Sequence, residues 1–396
     1  KKIMKEIQSN INIIGGGLIG AAAAYTLSKL GNNVVILEQK AKFDHKRILD
    51  KRTTAISEGT KRFLDKVSIW KDIRNYAEPI KKIQIFDRNQ SNKIYFDNQR
   101  RKSNLGYIVK NEFILDSLYK KLEKQKSVQI FNNISPKDIY YEGSRIITKQ
   151  DNFLINTNLL IASDGKKSSV RKIFKTPIFS KNYKKKAIVI NFYHSKSHHN
   201  TAYEFFFKNG PLAILPMQKN NNEFQSSIVW TNTNEFIDSL VSLDNKRIIS
   251  ILNDKIERCV GEIKKIITKQ TFPLNAHLNS KFFEKRTIYL GDSAHSFHPI
   301  AGQGWNLGMQ DVENLYKLVK KYNSLGLELG DEKFCKEFQK DNFFKAYRLY
   351  QITDKVDKIF KSDNLIFNHA RFSAIKLIEK SRRLKNRISD FAMGIS

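Results

Sequence analysis

Ile11-Asn12-Ile13-Ile14-Gly15-Gly16-Gly17-Leu18-Ile19-Gly20 is the stretch on which the fold of this chain turns. The run Ile11–Ile14 is apolar and β-branched, as a short buried strand requires, and Ala21 to Leu30 continues as an alanine-rich helix. Between them the glycines fit G-x-G-x-x-G. Val34-Val35-Ile36-Leu37 then makes a second strand that ends in Glu38. The unit is β-α-β, and the acid stands about twenty residues past the glycines, where a carboxylate can accept hydrogen bonds from a ribose. A tight turn without a ligand is the plainer alternative, but consecutive glycines cost chain entropy that a mere turn does not need. Dinucleotide binding is the expectation.

A second glycine turn lies far along the chain. Ile288-Tyr289-Leu290 reads as a buried strand, and it runs into Gly291-Asp292-Ser293-Ala294-His295-Ser296-Phe297-His298-Pro299-Ile300-Ala301-Gly302-Gln303-Gly304-Trp305-Asn306-Leu307-Gly308. Beyond it Leu307, Met309, Val312, Leu315, Tyr316 and Val319 recur at helical spacing. A helix start offers unpaired N–H groups and a partial positive charge, and glycines allow close approach to the backbone. Something anionic is expected to rest on Gly302 to Asn306. A third turn follows the apolar run Leu159-Leu160-Ile161-Ala162, where Ser163-Asp164-Gly165 opens a polar stretch through Ser168 to Arg171. A carboxylate at the C-terminal end of a strand sits at the edge where open α/β sheets bind ligands. Alone it reads as a structural turn; beside the other two glycine turns, the cofactor reading is preferred.

Composition narrows the class. A chain of 396 residues with 40% hydrophobic content can build a large core and more than one domain. Lys1 to Asn10 lacks the apolar segment of a signal peptide and no run is long enough to span a bilayer, so a cytoplasmic protein is expected. Cys259 and Cys335 stand far apart, which argues against a disulfide framework, a redox pair or a cysteine metal site. Electron chemistry would then belong to a bound cofactor. The formal charge of +31 is spread through every segment. A single aromatic-interleaved basic patch is lacking, so no nucleic-acid partner is expected. Ala370 to Phe391 is the local exception: Ala370, Ala374, Leu377, Leu384, Ile388 and Phe391 form one helical stripe, with Lys380, Arg382, Arg383, Lys385 and Arg387 mostly elsewhere. Such a helix can lie on an anionic membrane or pack on the protein body, and both readings stand.

Taken in order, the remaining segments alternate in texture. Asp50 to Ser57 is a polar turn with Arg52 returning toward the cofactor, and a helix is expected around Thr60 to Lys66. Ile83 to Phe86 and Lys93 to Phe96 read as hairpin strands about a turn at Asn89 to Asn92. Asn111 to Glu123 should be a helix burying Phe113, Leu115, Leu118 and Leu122, with strands from about Val128 and Ile146 behind it. Ala187–Ile190, Glu204–Phe207, Leu212–Pro216 and Ser227–Trp230 read as a mainly antiparallel sheet inserted between parts of the cofactor domain. Its aromatics suit a wall over an aromatic substrate, though core packing explains most of them equally well. His194, His198 and His199 invite a metal reading, but a lysine- and serine-rich loop without carboxylates is read as a solvated turn, and no metal is expected.

On these residues the chain resembles the single-component, FAD-dependent aromatic hydroxylases, and among them the ubiquinone-biosynthesis hydroxylases acting on polyprenyl phenols. The resemblance covers nearly the whole length: the glycine turn with Glu38, Asp50 and Arg52, Asp164-Gly165 with Ser168 and Arg171, Gly210-Pro211 with Leu215-Pro216, and above all Gly291 to Gly308 followed by Asp311-Val312. Tyr347, Arg348, Thr353-Asp354, Phe360 and Arg371 also look like that subgroup, while Ser293 and Trp305 stand where alanine and phenylalanine are expected.

The resemblance implies an α/β fold: a Rossmann-like three-layer FAD domain, an inserted, mainly antiparallel substrate sheet and C-terminal helices. It implies FAD-domain parts at residues 1–75, 105–171 and 275–328, substrate-domain parts at 76–104 and 172–274, and a helical region at 329–396. Gly15, Gly17, Leu18, Ile19 and Gly20 would receive the pyrophosphate, Glu38 and Gln39 the adenosine ribose, and Arg52 the phosphates. Asp164 and Gly165 would lie by the cofactor, with Gly291 and Asp292 on the ribityl chain. Pro299, Gly302, Gln303, Gly304, Trp305 and Asn306 would line the flavin ring, with Pro299 and His298 as the candidates nearest the chemistry.

The implied reaction is reduction by transiently docked NAD(P)H, formation of a C4a-hydroperoxide with O₂, and attack on an electron-rich ring carbon of a phenol. The protein itself would supply orientation, water exclusion and electrostatics. Contact with the inner membrane through the C-terminal basic helix, and membership of a ubiquinone-biosynthesis complex, are further implied. Competing readings are another flavoenzyme, such as a prenyl reductase, or a non-catalytic flavin-binding accessory protein. A halogenase is disfavoured, because Trp70, Trp230 and Trp305 form no W-x-W-x-I-P signature.

Overall fold

In a computed structural model the chain is described over residues 4–45, 50, 52–86, 93–97, 103–297 and 303–361, with only the backbone of 303 and 353–361. Its first sheet is parallel at the centre. Strand Lys5–Ile14 lies between Phe153–Ala162 and Val34–Glu38, with Thr287–Tyr289 and Val128–Asn132 outside them. The register runs Ile130–Ile36–Ile13–Ile161–Ile288 across these strands, one isoleucine from each. Strands buried on both faces need such uninterrupted β-branched runs. Helices Leu18–Ser28, Asn111–Leu122 and Gln303–Ser324 pack together beside the sheet. The hairpin Asp138–Glu142 and Arg145–Lys149 pairs with the first half of Phe153–Ala162, and Asn12 Nδ2 donates to Thr148 Oγ1 at 2.9 Å.

Helix Asn111–Leu122 buries a different stripe from the one expected. Ile114, Leu118 and Leu122 are on the core line with Tyr119, while Phe113 and Leu115 are only partly buried. Phe113 packs at the margin of the core and stacks on Tyr76, with ring centroids 4.1 Å apart.

The second sheet is antiparallel except where Thr201–Phe207 runs parallel to Lys82–Phe86. Its long strands are Ile178–His194, Gly210–Asn220, Glu223–Thr233 and Ile263–Asn279. The strands Lys82–Phe86 and Lys93–Asp97 pair as the expected hairpin, whose turn lies outside the described residues. Alternation divides the sheet. Ile188, Phe205, Leu212, Ile214, Ile228 and Trp230 share one face, and none is more than 2% exposed. Helices Asn234–Ser242 and Asn245–Val260 cover that face with Ile237, Leu240, Ile248, Leu252 and Ile256. Thr233 and Asp244 cap these helices by accepting hydrogen bonds from the N–H groups of Phe236 and Arg247. A small sheet of Thr53–Ser57, Glu78–Ile80 and Gly106–Lys110 lies against the other face.

The histidine cluster is corrected by this architecture. His194 ends a long strand and is fully buried, with Nε2 2.9 Å from Ser226 Oγ and Nδ1 2.8 Å from the Lys196 carbonyl. His198 is buried too, 3.0 Å from the Met217 carbonyl, and only His199 is solvated. Burial lowers the pKa of both buried rings. They are packed, hydrogen-bonded core residues. The basic stretch Ala370 to Phe391 lies outside the described residues, and among those described no helix is long and apolar enough to cross a membrane.

The covering helix supplies a stability test. Leu252→Ala should destabilise the protein by about 2–5 kcal/mol in urea unfolding, whereas Ile267→Ala, at a position 38% exposed, should stay within about 0.5 kcal/mol. Equal losses at the two positions would contradict the assigned faces.

Candidate active site

The parallel register sets the site. Ile14 is paired with Leu37 and with Ala162, and Ala162 with Tyr289, so Gly15, Glu38, Ser163 and Leu290-Gly291 leave the sheet side by side at its C-terminal edge. That edge is where open parallel sheets receive ligands. Gly15 has a φ of +101°, and a Cβ there would stand 2.5 Å from the Ser163 carbonyl oxygen. At Gly20 a Cβ would collide with the Gly15 carbonyl oxygen, so the turn closes on its helix only with glycine. Gly17 differs: it is exposed, faces open space and precedes a helix with no side-chain cap and no acid in its first turn. The N–H groups of Leu18 and Ile19 that follow it, unlike that of Gly16, have no partner among the described residues and can meet an anion.

Side chains lock the turns together. Glu38 accepts a hydrogen bond from Gly16 N–H at 2.6 Å and one from Lys40 N–H at 2.8 Å, and Gln39 beside it is exposed. Tyr119 donates its hydroxyl to the Gly16 carbonyl at 2.9 Å, and burial, with Glu38 nearby, raises its pKa. Ser163 Oγ donates to the Gly15 carbonyl at 2.8 Å. Ile19 reaches from the first helix to Gly291 and Gly308, where added Cβ atoms would lie 3.1 and 2.8 Å from its side chain. Asn306 pins the late helix to the small sheet, accepting from Ser57 N–H at 2.9 Å and donating to the Ala55 carbonyl at 2.8 Å.

Two buried charge clusters flank this seam. Asp311 accepts from Gly291 N–H at 3.1 Å and lies 2.7 Å from His295 Nε2, both side chains being 1% exposed. Arg171 Nη1 donates to the Ser293 carbonyl at 3.0 Å and to His277 Nε2 at 3.1 Å. Burial first, and then the Arg171 charge, push the His277 pKa down to about 3, so this ring stays neutral and can accept that bond. Arg52 grips Asp50 through Nε and Nη2 at 2.8 and 2.7 Å. Burial alone would raise the Asp50 carboxyl, but Arg52 and Asn111 hold it below its ordinary value. Hydrogen bonding to Asp50 raises the Arg52 pKa, and the charge of exposed Asp292 adds to this.

Asp164 mainly serves its own turn. Its Oδ2 accepts from Ser169 N–H at 2.6 Å and Val170 N–H at 3.2 Å, capping helix Ser169–Ile173, while Gly165 takes a φ of +80°. Its Oδ1 and Trp305 Nε1 are buried without a partner among the described residues, and Gly304 faces open space. Gly302, His298 and Pro299 lie outside the described residues, and of Gln303 only the backbone is described. Unpartnered polar atoms at the rim of an open glycine edge are what an extended dinucleotide with a polar ring system can satisfy. Tyr119, His277 and Ser57 were not singled out from sequence. Their partners lie far away in the chain, and nothing local marks them.

These features define a dinucleotide-binding α/β protein. A family model described as an FAD binding domain matches residues 8–324, and the chain belongs to that family. It is 26% identical over 391 residues to the ubiquinone hydroxylase UbiL of Rhodospirillum rubrum, covering 98% of this chain and 90% of that one. It is 27% identical over 380 residues to the ubiquinone biosynthesis monooxygenase COQ6 of Drosophila melanogaster, covering 84% and 78% of the two chains. Among solved structures, p-nitrophenol 4-monooxygenase PnpA of Pseudomonas putida has the same fold, with a TM-score of 0.81, 16% identity and 99% of each chain covered.

The seam can be tested by removing one buried group. Asp311→Ala leaves Gly291 N–H and His295 without their acceptor and should cost about 1–3 kcal/mol for each unsatisfied group. A denaturant midpoint unchanged from wild type would show that Asp311 does not hold the turn.

Proposed function

We propose that the protein is an FAD-dependent monooxygenase that hydroxylates the aromatic ring of a polyprenyl phenol in ubiquinone biosynthesis, using NAD(P)H and O₂. The observation that carries this reading is the convergence of the Gly15–Gly20, Asp164-Gly165 and Gly291-Asp292 turns on one sheet edge, next to the second sheet. Membership of the FAD-binding family and similarity to ubiquinone hydroxylases over nearly the whole chain support it. Bound FAD supplies the redox and oxygen chemistry.

In this reading the pyrophosphate rests on Gly15, Gly17, Leu18, Ile19 and Gly20, where helix N–H groups and dipole favour negative charge. Glu38 and Gln39 meet the adenosine ribose, and Arg52 the phosphates, with its guanidinium held in place by Asp50. Asp164 and Gly165 border the cofactor, and Gly291 and Asp292 hold the ribityl chain. The start of helix Gln303–Ser324, with Gly302, Gly304, Trp305 and Asn306, faces the flavin ring. There the helix dipole would favour negative charge on the bound ring. Pro299 and His298, outside the described residues, would be the candidates nearest the reacting carbon of the ring. The FAD domain comprises residues 1–75, 105–171 and 275–328 around a substrate domain of 76–104 and 172–274. The reading extends to surface contact of the basic stretch Ala370 to Phe391 with an anionic membrane and to association with other biosynthetic proteins.

Mixing the protein with NADPH, a short prenyl phenol and ¹⁸O₂ should give a ring-hydroxylated product carrying the label. Flavin reduction without oxygen transfer would favour a reductase instead. Asp292→Ala should weaken FAD binding by about tenfold to a hundredfold through lost hydrogen bonds, read by equilibrium titration; unchanged affinity would reject the ribityl assignment. Flotation on anionic vesicles should fall on deletion of residues 370–396, and equal flotation would reject the membrane contact.

A further inference from the structure

Only one face of the large sheet is sealed by helices. On its other face Val189, Phe206, Ala213, Leu215 and Val229 are partly exposed, and the register places Glu204 among them, opposite Ile85 on one side and Ala213 on the other. This face looks toward the cofactor edge. Phe272, on the same face, has the Arg52 guanidinium 5.4 Å from its ring centroid, and Ala55, whose carbonyl receives Asn306, packs in one cluster with Leu215 and Ile85. Val229 and Tyr350 both pack on the cluster of Ala187, Leu274 and Ala276, and the Tyr350 ring lies 6.3 Å from that of Phe297, which follows the Gly291-Asp292 turn.

Glu204 has no hydrogen bond or ion pair among the described residues. Glu204 is itself partly exposed, so its carboxyl on this apolar wall is open to a ligand on the free side of the sheet. Charged and titratable groups on the elements packed near it are already engaged: Glu78 with Asn200, Tyr107 with Asn104, and Arg52 with Asp50. Burial alone raises the Glu204 pKa to about 7, where a carboxylate can both take and return a proton near neutral pH.

We propose that Glu204 receives the phenolic O–H of the substrate and is the acid–base group of the hydroxylation; this rests on the phenol-hydroxylase reading above. The phenolic O–H bond breaks, the proton bonds to a Glu204 oxygen, and the freed electron pair enters the ring toward the carbon that accepts oxygen. That carbon bonds to the outer oxygen of the oxidant that reduced FAD and O₂ supply as its O–O bond breaks; the carbon's own hydrogen then leaves as a proton to the alkoxide left behind, the Glu204 proton returns to the phenolic oxygen, and the carboxylate is restored. The surrounding apolar residues hold the ring and the start of the prenyl tail, so the carboxylate fixes which end of the substrate points inward.

The test compares the FAD-loaded full chain with its Glu204→Gln variant, using 2-prenylphenol as substrate. The wild-type kcat/KM should rise through pH about 7 and level off. The variant should lose that rise and fall about a hundredfold at the plateau, mostly in kcat. A second readout needs no turnover. A carboxyl whose pKa is raised on folding loses stability as pH climbs from its unfolded to its folded value. The melting temperature of Glu204→Gln minus that of wild type should therefore grow between about pH 4.5 and 7 and then stay constant. A wild type that yields no oxygenated product overturns the hydroxylase reading. A wild type that hydroxylates while Glu204→Gln keeps its rate and pH profile, or whose melting curve runs parallel to the variant's, overturns the role of Glu204 alone.

Discussion

The side chain of Ile19 fills the space left by Gly291 and Gly308, and that contact holds the two ends of the cofactor domain together. Ile19 belongs to the first helix, Gly291 to the turn after a strand near residue 290, and Gly308 to the helix that follows. A Cβ at either glycine would crowd it. Around this wedge, Ser163 ties its turn to the carbonyl of Gly15, Ser293 Oγ donates to the Ala162 carbonyl at 2.5 Å, and Asp311 holds Gly291. Each bond is modest. Their effect is to fix, in one place, backbone segments that the chain separates by hundreds of residues, and dinucleotide binding needs that fixity because no one turn touches the whole ligand.

The second sheet answers a different demand. Its helix-covered face is packed by aliphatic and aromatic side chains with almost no exposure, whereas the opposite face is buried only where the small sheet lies on it. Elsewhere the opposite face keeps partly exposed apolar residues and one carboxyl close to the cofactor edge. Arg52 joins the two regions: its charge meets Asp50 and Asp292, and its plane lies over Phe272. A substrate seated there would touch both the wall and the edge.

Much of this was legible in the residues. The strand, glycine turn and acid at Ile11 to Glu38 announce themselves locally, because each feature is set by its own neighbours in sequence. The helix after Gln303 and the strands of the second sheet also follow from periodicity. What was not legible depends on long-range packing. Phe113 has the spacing of a core residue but is only partly buried, packing at the core's margin and stacking on Tyr76. His194 and His198 sit in a polar stretch yet are buried by strands contributed from elsewhere. Tyr119 and His277 carry no local signal for their roles beside Gly16 and Arg171, and Glu204 could be seen as exceptional only once its face of the sheet was known.

The most direct measurement compares FAD with riboflavin, which lacks the pyrophosphate and adenosine, in titrations of the flavin-free protein followed by flavin fluorescence. Convergence of the turns on one ligand predicts a single FAD site per chain and a far weaker affinity for riboflavin, because the Gly15–Gly20 turn and Glu38 then have nothing to hold. Failure to bind FAD, or equal affinity for the two, would contradict it.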